Sequence, residues 1–300
     1  ALVAGCPSVD ALVEASSSLA PAGEFAVAAL ERGMHVVMMN AEADLTFGPY
    51  LMRLAADNRA VYTTCDGDQP GVVKRLVDEI RFWGFELVMA GNIKGFLDRY
   101  SNPETIVPEA DKRNLDYKMA AGYTDGTKLC IEMALLANAL GLSVTVPGMA
   151  GPRASHVHEV FDLFDLPALR REGLAVADYL LGAQPDGGVF AIGYGDDEYR
   201  RSMLSYLKMG DGPFYLFYRP YHLCHIEAMA TVAEACAMNS MPFSRGSRSE
   251  ATVKVKVVAR SRYPRHHTFK PGMFLRVLGS TSVFGRSARG RISAERIHFG

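Results

Sequence analysis

The stretch PAGEFAVAALERGMHVVMMN, residues 21–40, decides the fold. Pro21 opens it and Gly33 closes its first half, the punctuation of a helix that starts on a proline and stops on a glycine. HVVMMN (35–40) follows without polar alternation, as a strand covered on both faces does. Upstream, VDALVEASS (9–17) reads as a second buried strand running into a loop of small residues. Downstream, DLTFGPYLMRLAADN (44–58) reads mostly as helix, with Asp44 as its N-cap, and AVYTTC (60–65) as a third strand. Strand, helix, strand, helix, strand with short links is the rhythm of a parallel sheet covered by helices.

The rhythm changes after residue 66. DQPGVVKRLVDEIRFWG (68–84) predicts a helix with one apolar face, and FELVMAGNIKG (85–95) a strand entering a glycine-rich loop. A long irregular piece leads to YTDGTKLCIEMALLANALGL (123–142), which predicts a helix of about five turns ended by Gly141. GGVFAIGYG (187–195) and PFYLFYR (213–219) come later, with helices over 196–209 and from His222 to Met238. These predict an α+β part whose sheet is built from the 85–91, 189–194 and 213–218 segments. Trp83 and the methionines read as core.

Composition narrows the function. With 300 residues and 49% hydrophobic content, the chain can bury one large core or two smaller ones. A net charge of −1 gives no reason to expect nucleic acid or an anionic membrane as partner. No apolar run reaches the ~18 residues that span a bilayer, and the first residues lack the basic start of a signal peptide. Five scattered cysteines without a CxxC pair read as reduced thiols, so a cytoplasmic location is expected. Charge is uneven, however: residues 244–300 hold thirteen Lys/Arg against two acids. ATVKVKVVARS (251–261) alternates like a strand and the tail lacks basic–aromatic interleaving, which favours an ordinary basic appendage over a nucleic-acid tail. A frame-shifted end of the coding sequence would fit as well.

The 123–142 helix is apolar nearly all round, yet it carries Asp125, Lys128 and Glu132 within an arc of about 60°. One reading of that stripe is a salt-bridge ladder worth a few tenths of a kcal/mol. The other is an acid/base site in which carboxylates hold an ammonium inside a cleft and set its pKa. Lys94, at the end of a buried strand between Gly91 and Gly95, is either a rival for that role or a solvated loop lysine. Arg219 offers a fork for phosphate or carboxylate, and a helix starting near His222 would point free N–H groups at an anion. His222 and His225 around Cys224 hint at zinc, but no second ligand pair of matching spacing follows; structural histidines are expected and no metal ligand is assigned.

Several of these segments together resemble a known family. LVEASS, HVVMMNAEAD, AGNIKG and DGTKLCIEMA, in that order, are similar to the homoserine-dehydrogenase-like oxidoreductases. YLKMGDGPFYLFYRPYHLCHIE (206–227) brings the resemblance closer to the branch typified by the 1-deoxy-D-xylulose 5-phosphate reductoisomerase-like (DRL-like) enzymes, over about residues 8–240. The resemblance implies an α/β protein: the later part of a Rossmann-type parallel sheet over 1–66, an α+β catalytic domain over 67–243 whose end returns towards the first sheet, and a small β-rich, SAF-like segment over 244–300. TFKPGMFLRVLGSTSVFG (268–285) is the faint match to that last piece. No G-x-G-x-x-G follows any strand; the family places it just before the first strand seen here, so Ala1 is not expected to be the native start.

The resemblance also implies roles. NADP or NAD is the expected cofactor, and a small hydroxylated molecule the expected substrate. Hydride transfer to or from a carbonyl or alcohol carbon needs a group that gives or takes the oxygen's proton. Lys128 is expected to do so, positioned by Asp125 and Glu132, with Lys94 sharing the work. Arg219 and His222 are expected on the substrate. Ser16, Ser17 and Asn40, with Glu42 beside them, are expected to border the nicotinamide, because ligands of open α/β sheets sit beyond the carboxyl ends of the strands. A homo-oligomer is the expected assembly. Two alternatives stay open: a reductoisomerase-type reaction assisted by Mg or Mn on Asp125 and Glu132, and a non-catalytic nucleotide-binding relative.

Overall fold

The computed structural model describes residues 9–240. The expected β-rich segment over 244–300 and Cys6 lie outside the described residues. The first sheet consists of β1 (Ala11–Glu14), β2 (His35–Met38) and β3 (Tyr62–Thr64), in that order and all parallel, with Val37 opposite both Val13 and Thr63. Its crossovers are α1 (Leu19–Leu30) and α2 (Ala41–Asp57). The buried side of α1 is Ala22, Ala26, Ala29 and Leu30, packed in one cluster with Val36, Met38 and Leu51. Small side chains let the helix lie close on the strands while the larger residues of β2 fill the gap.

The second helix starts at Ala41 rather than 44, because Asn40 is its cap. The Asn40 side chain accepts from Ala43 N at 3.0 Å and donates to Ser16 O at 2.9 Å, tying the ends of β2 and β1 together. Asp44 is therefore inside the first turn, buried, and accepts from Tyr62 Oη at 2.7 Å and Thr64 Oγ1 at 2.6 Å.

After α3 (Gln69–Phe82) the chain builds a four-stranded mixed sheet. The nine-residue β4 (Glu86–Lys94) lies between β5 (Val176–Leu181), parallel to it, and β6 (Val189–Tyr194), antiparallel; β7 (Phe214–Arg219) closes the far edge. The segments expected at 85–91, 189–194 and 213–218 are thus present, and β5 is the strand that sequence reading did not assign. One face of this sheet packs with α3, the other on Val157, Val160, Leu166 and Leu169. Those four come from a 3-10 turn at Val157–Glu159, α7 (Val160–Leu163) and α8 (Leu166–Arg171).

Between β4 and β5 run α4 (Val107–Lys112), α5 (Tyr117–Thr124) and α6 (Thr127–Leu140). The single helix expected over 123–142 is two helices. The chain breaks at Gly126, whose φ of +90° is open to glycine and costly for other residues. Only α6 is apolar all round; it packs against α2, α3 and β5 and so bridges the two sheets. Gly141 ends it in the left-handed conformation, as the sequence predicts. The last elements are α9 (Glu198–Tyr206) and α10 (Cys224–Ser240), and α10 packs back on β1 and β2. Trp83 is 48% exposed at the rim of the second sheet, against the expectation of a core position, and Met52 and Met229 are exposed as well. Among the described residues no helix is long and apolar enough to cross a membrane.

The glycine before the candidate Lys94 has a packing reason. A Cβ on Gly91 would overlap the Asp178 carbonyl oxygen of the neighbouring strand. Gly91→Ala should therefore destabilise the fold by about 3 kcal/mol in urea unfolding, whereas Gly187→Ala, with nothing within 4 Å of its new methyl, should stay within about 0.5 kcal/mol. Equal effects at both positions would contradict this account of β4.

Candidate active site

Three element ends meet between the two sheets: the start of α6, the end of β4 and the N-cap of α3. The first turn of α6 supplies Lys128 and, one turn on, Glu132, with Nζ and Oε1 3.6 Å apart. Glu132 is 4% exposed. The last residue of β4 is Lys94, whose charge acts on both Glu132 and Lys128. The N-cap of α3 is Asp68, also 4% exposed, and its charge reaches Lys128, Glu132 and His222. Glu42, near the start of α2, adds a further negative charge felt by Lys128 and Glu132. Lys128 also lies over the Tyr123 ring, 4.7 Å from its centroid.

Electrostatics divide the two lysines. Burial pulls Lys94 below the ordinary lysine range, and Lys128 adds to the fall against the opposing pull of Glu132. Burial acts on Lys128 too, but Glu132, Asp68 and Tyr123 outweigh it and hold Lys128 above that range. Glu132 itself is pushed up to about 8, by burial first and by Asp68 next. A firmly charged ammonium, a lysine inclined to lose its proton and a carboxyl inclined to keep one therefore stand side by side. Groups whose environments drive their pKa values apart are the usual equipment of proton-transfer chemistry.

Gln69, the first residue of α3, anchors a polar chain. Gln69 accepts from the Asn92 amide and meets His222 Nε2 at 3.2 Å, while His222 Nδ1 is 2.9 Å from Gly67 O. Asn92 and Lys94 share one face of β4, two residues apart. Asp68 Oδ2 and Asn92 Oδ1 are buried acceptors without a hydrogen-bond partner. Such atoms are costly unless a donor fills the site, and a substrate hydroxyl is a suitable donor.

Other expected residues are placed as follows. Asp125 is fully buried at the helix break, and its Oδ1 accepts from Thr127 N at 2.8 Å, which secures the start of α6. Arg219 is paired with Glu227 and lies 4.5 Å over the Tyr221 ring. Since α10 begins at Cys224, the N–H of Leu223 is free of the helix, but Glu227 Oε2 already accepts it at 2.9 Å. Ser16 and Asn40 come together at the carboxyl ends of β1 and β2, with Ser17 exposed beside them. Glu14, at the same end of β1, accepts from Ser16 N through Oε1 at 3.0 Å and leaves its buried Oε2 without a partner. Glu42 faces the lysine cluster as well. Among the described residues no three His, Cys, Asp or Glu side chains are grouped to hold a metal ion.

Sequence reading missed Asp68, Gln69 and Asn92. A signal was available for Asp68, an acid in DGDQPG just beyond the carboxyl end of a parallel strand, where such sheets bind ligands.

Residues 67–228 match the family described as oxidoreductase DRL, catalytic domain; the match spans more than half of the chain, which belongs to this family. No curated protein matches it. Among solved structures it is similar to the candidate homoserine dehydrogenase of Archaeoglobus fulgidus, with 23% identity, 46% of each chain covered and a TM-score of 0.34. The chain therefore spans under half the length of that protein. A hyperthermophilic archaeal homoserine dehydrogenase in complex with NADPH gives 13% identity over 78% of this chain and 72% of that one, TM-score 0.43. The candidate myo-inositol dehydrogenase of Sinorhizobium meliloti gives 11% over 97% and 83%, TM-score 0.38.

The elevated Glu132 pKa fixes the sign of a stability change. The folded protein keeps a proton on Glu132 that the unfolded chain releases near 4.5, so the associated stability is complete below that value and is lost as pH rises towards about 8. Glu132→Gln should remove this loss, gaining stability relative to the native protein between about pH 5 and about pH 8 in urea unfolding. A difference between the two proteins that does not vary with pH would contradict the assignment.

Proposed function

We propose that the protein is an NAD(P)-dependent oxidoreductase acting on a small hydroxy-ketone, polyol or sugar derivative. The observation that carries the reading is the placement of Lys128 3.6 Å from the buried Glu132, with Lys94 at the end of β4 acting on both and the two lysines pushed in opposite directions. Lys128, held charged, polarises the reacting oxygen; Lys94, whose charged form burial disfavours, passes its proton. Glu132 keeps Lys128 in place and exchanges protonation with both lysines. The partnerless acceptors of Asp68 and Asn92 orient hydroxyl groups of the substrate, which favours a polyhydroxylated molecule over an apolar one.

A nicotinamide cofactor supplies or accepts the hydride when bound. Residues at the carboxyl ends of β1 and β2 fit such a group: Ser16, Ser17 and Asn40 border an open loop, and the buried Glu14 Oε2 lacks a donor there, as a ribose hydroxyl or carboxamide N–H would provide.

The test is NADPH or NADH oxidation across a panel of hydroxy-ketones. Lys128→Ala should lower kcat by about 10³-fold and leave cofactor affinity, read by fluorescence titration, within about threefold. Undiminished turnover in the variant would remove Lys128 from the chemistry. Activity lost in EDTA would move the reading to the metal-assisted reductoisomerase reaction.

A further inference from the structure

Two thiols lie at the edge of this site. Cys65 directly follows β3, is fully buried, and packs with Val37 and Ala228. Ala228 is one turn along α10 from Cys224, the first residue of that helix, which is partly exposed. Between the cysteines, the loop lies against the head of α10: a Cβ on Gly67 would come 2.6 Å from Cys224 Cα. Cys65 Sγ donates to Asp66 O at 3.1 Å, and the two thiols lie near enough for each to act on the other's titration.

Their surroundings make them unequal. Contact between the two side chains lowers the Cys224 pKa and raises that of Cys65, and the Lys128 charge lowers Cys224 further, against burial and the Asp68 and Glu132 charges. The start of the seventeen-residue α10 acts in the same sense, because helix N-termini favour a thiolate. A partly exposed nucleophilic sulfur with a second thiol directly behind it is the arrangement of a reacting and a resolving cysteine.

We propose that Cys65 and Cys224 form a peroxide-sensitive dithiol that closes into a disulfide across the edge of the active site. The Cys224 thiolate attacks one oxygen of hydrogen peroxide; the O–O bond breaks, and the departing hydroxide takes a proton to become water. Cys224 is thereby oxidised to its sulfenic acid and the peroxide is reduced. Cys65, losing its proton, then attacks the Cys224 sulfur; the S–S bond forms, the S–O bond breaks, and a second water leaves. The disulfide joins the loop bearing Gly67 and Asp68 to the head of α10 and so fixes the surroundings of His222. This chemistry belongs to the cysteines and is independent of the nicotinamide reading.

The experiment treats the purified full chain with one equivalent of hydrogen peroxide, blocks remaining thiols by alkylation and maps the cysteines by mass spectrometry. The expected product has lost two hydrogens and yields a peptide joining Cys65 to Cys224 that dithiothreitol separates. In Cys65→Ser the cross-link disappears and dimedone captures Cys224 as its sulfenic acid; Cys224→Ser gives neither product. Before oxidation, Cys224 should be alkylated ~10-fold faster than the half-buried Cys236. Oxidation spread evenly over Cys224, Cys236 and Cys130, or an unreacted Cys224, would overturn the proposal. Should a serine variant fail to fold, the cross-link map of the native chain decides alone.

Discussion

Glu132 cannot carry an isolated charge where it sits, and the arrangement of the molecule around it follows from that constraint. A buried carboxyl must either keep its proton or find cations, and Glu132 has Lys128 on its own helix and Lys94 on the neighbouring strand. For both to arrive, α6 must start where β4 ends. The helix break at Gly126 allows this, since a helix continuing from Tyr123 would not begin its first turn at the same place. Asp68, at the N-cap position of α3, completes the cluster from the first sheet's side and ties its position to the end of β3. The two sheets are thus joined at a charged centre as well as through the apolar faces of α6.

The division of labour follows from the two sheets. The parallel sheet gathers Glu14, Ser16 and Asn40 at its carboxyl end, and the mixed sheet gathers Lys94 and Asn92 at the end of its central strand. Between them, the segment from Cys65 to Gln69 touches both and reaches α10 through Thr231, whose hydroxyl receives the Asp66 N–H at 2.8 Å. That segment is also where the dithiol is placed, so any covalent change there acts on a part of the chain that both halves share.

Much of the fold is legible in the sequence because its signals are local. The βαβ rhythm of residues 9–65 lies in runs of apolar residues punctuated by Pro21 and Gly33, β6 and β7 stand out as aromatic and β-branched runs, and β4 as an apolar run entering glycines. VADYLL, which becomes β5, is short, contains an acid and follows an irregular stretch; its strand character comes from pairing with β4, some 87 residues earlier in register, as between Met89 and Val176. The single helix expected over 123–142 fails at Gly126, because a lone glycine in an apolar run does not say whether it ends a helix or is tolerated inside one. The pairing of Lys128 with Glu132 is visible from their spacing. The approach of Asp68, Lys94 and His222 to that pair depends on contacts spanning up to 153 residues, such as Gln69 with His222, and no local pattern encodes those.

One buried centre drives the two lysines in opposite directions. The most direct measurement is an NMR titration of lysine side chains labelled at Cε, with Lys94 and Lys128 assigned by their substitution to arginine. Lys94 should titrate below the ordinary lysine range and Lys128 above it, and Glu132→Gln should bring Lys128 down. Both lysines titrating together at the ordinary value, unaffected by Glu132→Gln, would contradict it.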